Sequence, residues 1–356
     1  MRVTPRAVAA SLVVVVALMV AACDPIPTPP VARDRGTAWL VNQFGADGVI
    51  AASFDPTLDD LGGTAYAVTN LATAGVGGAT ANQAVAALAA RVDEYVVDGS
   101  GNDRPGSLAR LILAAEATGV NPRRFGGENL VARLQATMRR TGPDRGLFGL
   151  QAPTFDGAFR QGLALAALSL VRPRPAVLDP GRHAVDDLPA VAWLEAQQCA
   201  DGSWTPYRSD LAAPCAFDPS HFTGPDTNST ALAVLGLEAV DATGGAAAGR
   251  WFSAVRGRDG GWSFSGGADA AADPDSTGLV LAALRALGTP GDDRAVTRLL
   301  QFQFGPSASG GDRGAFWFPP FDASPPTASL LATNDALLGL TPGVWPAVVE
   351  HGTRTA

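Results

Sequence analysis

"DTNSTALAVLGLEAV" (226–240) and "DPDSTGLVLAALRAL" (273–287) line up residue for residue. Each opens on an aspartate, carries Ser-Thr at its fourth and fifth positions, and continues as an apolar run with small residues. Asp, Ser and Thr side chains accept hydrogen bonds from the free N–H groups of a first helical turn. A carboxylate there also meets the positive end of the helix dipole. The stretch therefore reads as a start signal followed by a helix apolar on all sides, which must be buried. The same signal recurs in "DLGGTAYAVTNLATAG" (60–75), in "DRPGSLARLILAAEATG" (103–119) with Ser for Thr, and in "DGAFRQGLALAALSLV" (156–171) with Arg160 for Thr. In "SPPTASLLATNDALLGL" (324–340) we align Thr327 with it. Six such helices are expected to begin near residues 61, 105, 158, 228, 275 and 326.

A second helix precedes each of them, in residues 36–44, 80–96, 128–138, 186–198, 244–255 and 291–304. Apolar residues recur there three and four apart, as on a helix that faces a core on one side. Gly-rich turns such as "FGADGVI", "CADGSW" and "GRDGGWSF" separate the two members. Six helical hairpins make either an open solenoid or a closed ring. Neither end shows the polar capping repeat that a solenoid needs. The expected fold is all-α, an α6/α6 toroid of six hairpins, with the start signals gathered around one mouth.

The turns "QQCADGSW" and "GRDGGWSF" resemble the repeats of the prenyltransferase/squalene cyclase superfamily. The resemblance spans about residues 36–341 and is strongest in 186–288. It implies the α/α toroid shared by terpene cyclases, protein prenyltransferase β subunits and the binding domain of transcobalamin-like carriers. Together with the N-terminal segment, it looks most like secreted actinobacterial repeat proteins.

Bulk properties narrow the chemistry. Among 356 residues, 47% are hydrophobic and 17% charged, which supports a large core. There is no lysine, which excludes a Schiff-base nucleophile and a Walker A loop. A net charge of −8 without a basic patch argues against nucleic acid as a partner. Arg2 and Arg6 precede the apolar run 7–22, and Val20-Ala21-Ala22-Cys23 resembles a bacterial lipobox. That resemblance implies a lipoprotein signal over 1–22, acylation of Cys23, a Pro-rich tether over 23–35 and the toroid over 36–356. The protein is then expected outside the cytoplasm, held to the membrane by its lipid. Cys199 and Cys215 remain as an even pair and are expected to form a disulfide.

The candidate chemistry follows from the start signals. Asp273 and Asp275 match the first and middle acids of the Asp-x-Asp-Asp motif of class II terpene cyclases, whose middle Asp protonates an alkene. Ser276 stands where that motif has its last Asp. Since the other repeats use the same positions, capping is the leading role for both acids. The three histidines are scattered and suggest no metal site, and adjacency does not make a triad of Asp218, Ser220 and His221. Asp226, Asn228, Asp273 and Asp275, with Tyr207, Phe222 and Trp317 on long loops, are the expected ligand-contacting residues. Trp317, in "GAFWFPPF" (314–321), departs from the repeat, and its cluster with Phe316, Phe318 and Phe321 is a candidate aromatic binding surface, with local loop packing as the alternative. These readings lead to a surface-anchored binding protein for a small molecule, glycan or protein partner. No cofactor is expected, and cobalamin is one candidate ligand. The alternative is an enzyme, either terpene cyclase/prenyltransferase-like or a carbohydrate-active hydrolase.

Overall fold

The computed structural model describes residues 24–150, 156–216, 218, 223–289, 291–319, 325–343 and 345–346. In chain order its α-helices are α1 (Pro29–Val41), α2 (Leu61–Ala74), α3 (Gly78–Ala89), α4 (Val92–Val96), α5 (Pro105–Ala117), α6 (Leu130–Ala136), α7 (Gly157–Leu170), α8 (Pro189–Ala196), α9 (Thr227–Ala239), α10 (Ala248–Ala254), α11 (Pro274–Ala286), α12 (Asp293–Leu300) and α13 (Leu330–Leu340). A two-stranded antiparallel ribbon, β1 (Ala51–Ala52) and β2 (Asp55–Asp59), decorates the first turn.

The start signals form the caps that their residue types allow. Asp60, Asp226, Asp273 and Ser329 accept from the N–H groups of Gly63, Ser229, Ser276 and Ala332, at 2.7, 2.6, 2.7 and 3.1 Å. The threonine four residues after each cap does a second job. Thr64, Thr230, Thr277 and Thr333 accept from the N–H groups of Ile50, Trp204, Trp262 and Phe316, at 2.9–3.0 Å. Each thereby staples the preceding turn onto its inner helix. In α7 the staple is divided, with Gln161 accepting from Phe148 N–H and Arg160 donating to its carbonyl.

Helices α2, α5, α7, α9, α11 and α13 pack each on the next, and α13 returns to α2. At the closing seam, Tyr66 Oη donates to Asp335 Oδ1 at 2.6 Å and Asn70 Nδ2 to Asn334 Oδ1 at 2.8 Å. Close crossings need glycine. A Cβ on Gly236 would lie 2.4 Å from the Gly162 carbonyl oxygen, and one on Gly339 would lie 2.6 Å from that of Gly278. These inner helices are buried almost all round. From Pro274 through Leu284 every side chain of α11 is buried. The other helices lie outside, and turn residues Trp204 and Trp262 anchor them by donating to the carbonyls of Leu194 and Phe252 at 2.7 Å.

Three expectations are revised. The last inner helix starts at Leu330, four residues beyond the expected 326, because Ser329 and Thr333 hold the cap and staple spacing. Residues 29–35, expected in an extended tether, are the first turns of α1, with Pro29 and Pro30 at positions that need no N–H donor. The chain before them is pinned, since Asp24 Oδ2 accepts from both N–H and Oγ of Ser307. Finally, "GAFWFPPF" keeps to the repeat: Phe316 is fully buried and occupies the position of Trp204 and Trp262.

Candidate active site at the ring axis

The sixth residue of five inner helices faces the ring axis. Tyr66, Arg110, Leu232, Leu279 and Asp335 occupy that position in α2, α5, α9, α11 and α13, and all line one central cavity. Helix α7 adds Phe159 and Leu163. Trp345, beyond the end of α13, completes the wall. The cavity is small, about 20 Å³, room for about one water molecule. Much of the wall is leucine, and the polar groups concentrate around the seam of α2 and α13.

Three carboxyls meet close to this seam. Asp273 is committed to structure. Its Oδ1 accepts from Ser276 N–H and its Oδ2 from Ser276 Oγ, at 2.7 and 2.9 Å. Asp275, two residues on, does not cap. It is 8% exposed, and among the described residues its Oδ1 has no hydrogen-bond partner. Burial drives its pKa far above the ordinary carboxylate range, and the charges of Asp335 and Asp273 push it further. Asp335, 5% exposed, is also raised by burial. The Tyr66 hydroxyl and the Arg110 charge oppose that rise and favour its ionised form. The Arg110 guanidinium lies 4.4 Å from the centre of the Tyr66 ring. The Tyr66 hydroxyl is raised in turn, first by burial and then by Asp335, so it stays a donor. Two buried carboxyls whose surroundings push them apart are the arrangement of a held acid and its stabilised neighbour. Here Asp275 is the more strongly raised of the two, and Asp335 is the member that reaches the cavity.

The other expected residues lie elsewhere. Asp226 caps α9, and burial raises its pKa to about 7. No charge of the seam figures among the causes of that shift. Asn228 accepts from its neighbour Thr227 Oγ1. Tyr207 stacks on Trp193 and donates to Asp144 Oδ1 at 3.1 Å. Trp317 is half-buried, edge-on against Phe302 at 4.9 Å. Cys199 and Cys215 are joined as a disulfide, with Cα atoms 5.9 Å apart. Cys23 and Phe222 lie outside the described residues, as do Ser220, His221 and Phe321.

No family model and no curated protein matches the chain. Solved structures do. A protein from Actinoplanes is 19% identical with a TM-score of 0.52, over 88% of this chain and 98% of that one. The type II terpene cyclase MstE from Scytonema reaches a TM-score of 0.57 at 15% identity, covering 89% and 98%. The unsaturated glucuronyl hydrolase of Bacillus sp. GL1, responsible for the degradation of glycosaminoglycan, reaches 0.56 at 14% identity, covering 88% and 96%. The chain is an α/α toroid.

Within the toroid, four axial residues went unmarked in the sequence: Tyr66, Arg110, Asp335 and Trp345. Asp335 did carry a signal, as the one carboxylate inside the apolar run "SLLATNDALLGL". Aligning the inner helices on their true caps would have brought Tyr66, Arg110 and Asp335 to one shared position. The misplaced start of the last helix hid that register.

Proposed function

We propose that this toroid is an extracytoplasmic enzyme of the type II terpene cyclase kind, which starts its reaction by protonating a carbon–carbon double bond of an apolar substrate. The observation that supports this most is the buried Asp275–Asp335 pair, both raised above the ordinary carboxylate range by burial, beside a cavity walled largely by leucine. A carboxylic acid kept neutral at neutral pH in apolar surroundings is able to donate its proton to a reacting group. Asp335, the carboxyl that reaches the cavity, is the donor: its O–H bond breaks, the π electrons of the alkene take the proton to form a C–H bond, a carbocation remains, and Asp275 beside it supplies the proton that restores the acid. The carboxylate left behind is stabilised by the Tyr66 hydroxyl and the Arg110 charge. Attack by a second double bond closes a ring, and loss of a proton ends the sequence, so the product is an isomer of the substrate. A variant of MstE has been solved with geranylgeranyl dihydroxybenzoate as its substrate, which makes that compound a first probe.

The binding-module reading accounts for the cavity but gives a neutral acid pair nothing to do. A carbohydrate hydrolase needs polar walls to hold a sugar, and leucine supplies none. The disulfide and the signal-like N-terminus support the extracytoplasmic placement, and acylation of Cys23 would add a membrane anchor.

The purified chain should convert geranylgeranyl dihydroxybenzoate or squalene into an isomer, and in heavy water that isomer should carry deuterium. Asp275→Asn and Asp335→Asn should each lower the rate by at least about 100-fold, the lower range of general-acid contributions. Mass spectrometry reads both outcomes. No isomer from either polyene, or a variant of either aspartate that turns over at the natural chain's rate, removes the proposal.

A further inference from the structure

Trp345 closes one side of the central cavity. After α13 the backbone turns at Thr341, Pro342 and Gly343, and Gly343 takes φ +89°, a conformation open to glycine. Pro342 and Gly343 are exposed, whereas Trp345 returns into the ring and is 7% exposed. Its indole packs in the main core and shares the cavity wall with side chains from all six inner helices. Trp204 and Trp262 anchor their N–H groups on carbonyls, but no hydrogen bond holds the Trp345 indole N–H among the described residues. Among the described residues its contacts are those of the core and the cavity wall, so another apolar group replaces it without breaking a polar bond seen there.

We propose that Trp345 is an internal occupant of the ligand site, which leaves the cavity when a neutral hydrocarbon chain enters. This rests on the reading of the axial cavity as the site. The ligand it makes way for is uncharged along its buried length and at least as wide as an indole ring. Leu113, Leu163, Leu232, Leu279 and Leu338 face that length, and the acid pair meets it at the seam. An occupant present in nine-tenths of molecules weakens apparent affinity about tenfold.

The test uses the full chain labelled with 5-fluorotryptophan. The Trp345 signal is identified as the one missing from Trp345→Ala. Adding geranylgeraniol should move that signal to the position of a solvent-exposed fluorotryptophan. Trp345→Ala should also bind the neutral dye N-phenyl-1-naphthylamine at least about tenfold more tightly than the natural chain. Trp345→Phe, which keeps a ring in the cavity, should fall between them and covers a failure of the alanine variant to fold. Geranylgeraniol binding with an unmoved Trp345 signal, or equal dye affinity in the variants, overturns the proposal. Displacement without turnover keeps the occupant and removes the acid chemistry, while turnover with Trp345 in place does the reverse.

Discussion

Asp273 and Asp275 are two residues apart and do opposite things. One spends both oxygens on Ser276, and the other has an oxygen with nothing to bond. Because Asp275 is raised, its acid form persists through neutral pH. Asp335, which meets the substrate, is raised only to about 7, so turnover should hold below neutral pH and fall as pH rises through that value. Tyr66→Phe removes the hydroxyl that favours ionised Asp335. The rate at neutral pH should drop about tenfold, with the melting temperature changed by only a few degrees. A pH–rate profile beside a melting curve checks both. Asp226 gives a separate test, on stability. The folded chain keeps that proton up to about pH 7. The unfolded chain keeps it only to about pH 4, so stability falls as pH rises between these values. Asp226→Asn keeps the capping oxygen but has no charge to bury. At pH 8 it should be more stable than the natural chain by about 2–4 kcal/mol, and urea unfolding at pH 4 and pH 8 should show the gap closing in acid.

At the scale of elements, the staple and the glycine crossing are the two devices that shape the ring. Thr277→Val keeps the side chain's size and removes the acceptor for Trp262 N–H at 3.0 Å. A buried donor left without a partner should lower stability by about 1–3 kcal/mol, which urea unfolding measures. Gly236→Ala presses a methyl into the backbone of α7 and should lose a similar amount, about 1–3 kcal/mol. These devices also explain what a reader of the sequence could see. Cap and staple are local, four residues apart, and repeated, so five of the six inner helices start within a residue of their expected places. The sixth misled because Thr327 imitates the motif a few residues early. What no local pattern separates is Asp273 from Asp275, since both sit in the same start signal. Their difference comes from Asp335, on another helix.

For the whole molecule, the disulfide and the seam matter most. Replacing Cys199 and Cys215 by serine releases a loop of 16 residues and should cost about 3 kcal/mol, visible in thermal unfolding with and without reductant. The ring was legible from the repeat count, but the site was not. Its members come one from each helix and acquire meaning only when the first and last hairpins touch. Tyr66 and Asp335 are 269 positions apart. A growing chain that has not reached α13 holds Tyr66 without Asp335, so the contact that joins the first and last hairpins waits for the last helix to be made. The chemistry proposed for the seam would then require a closed circle, and a chain that stops before α13 would lack it.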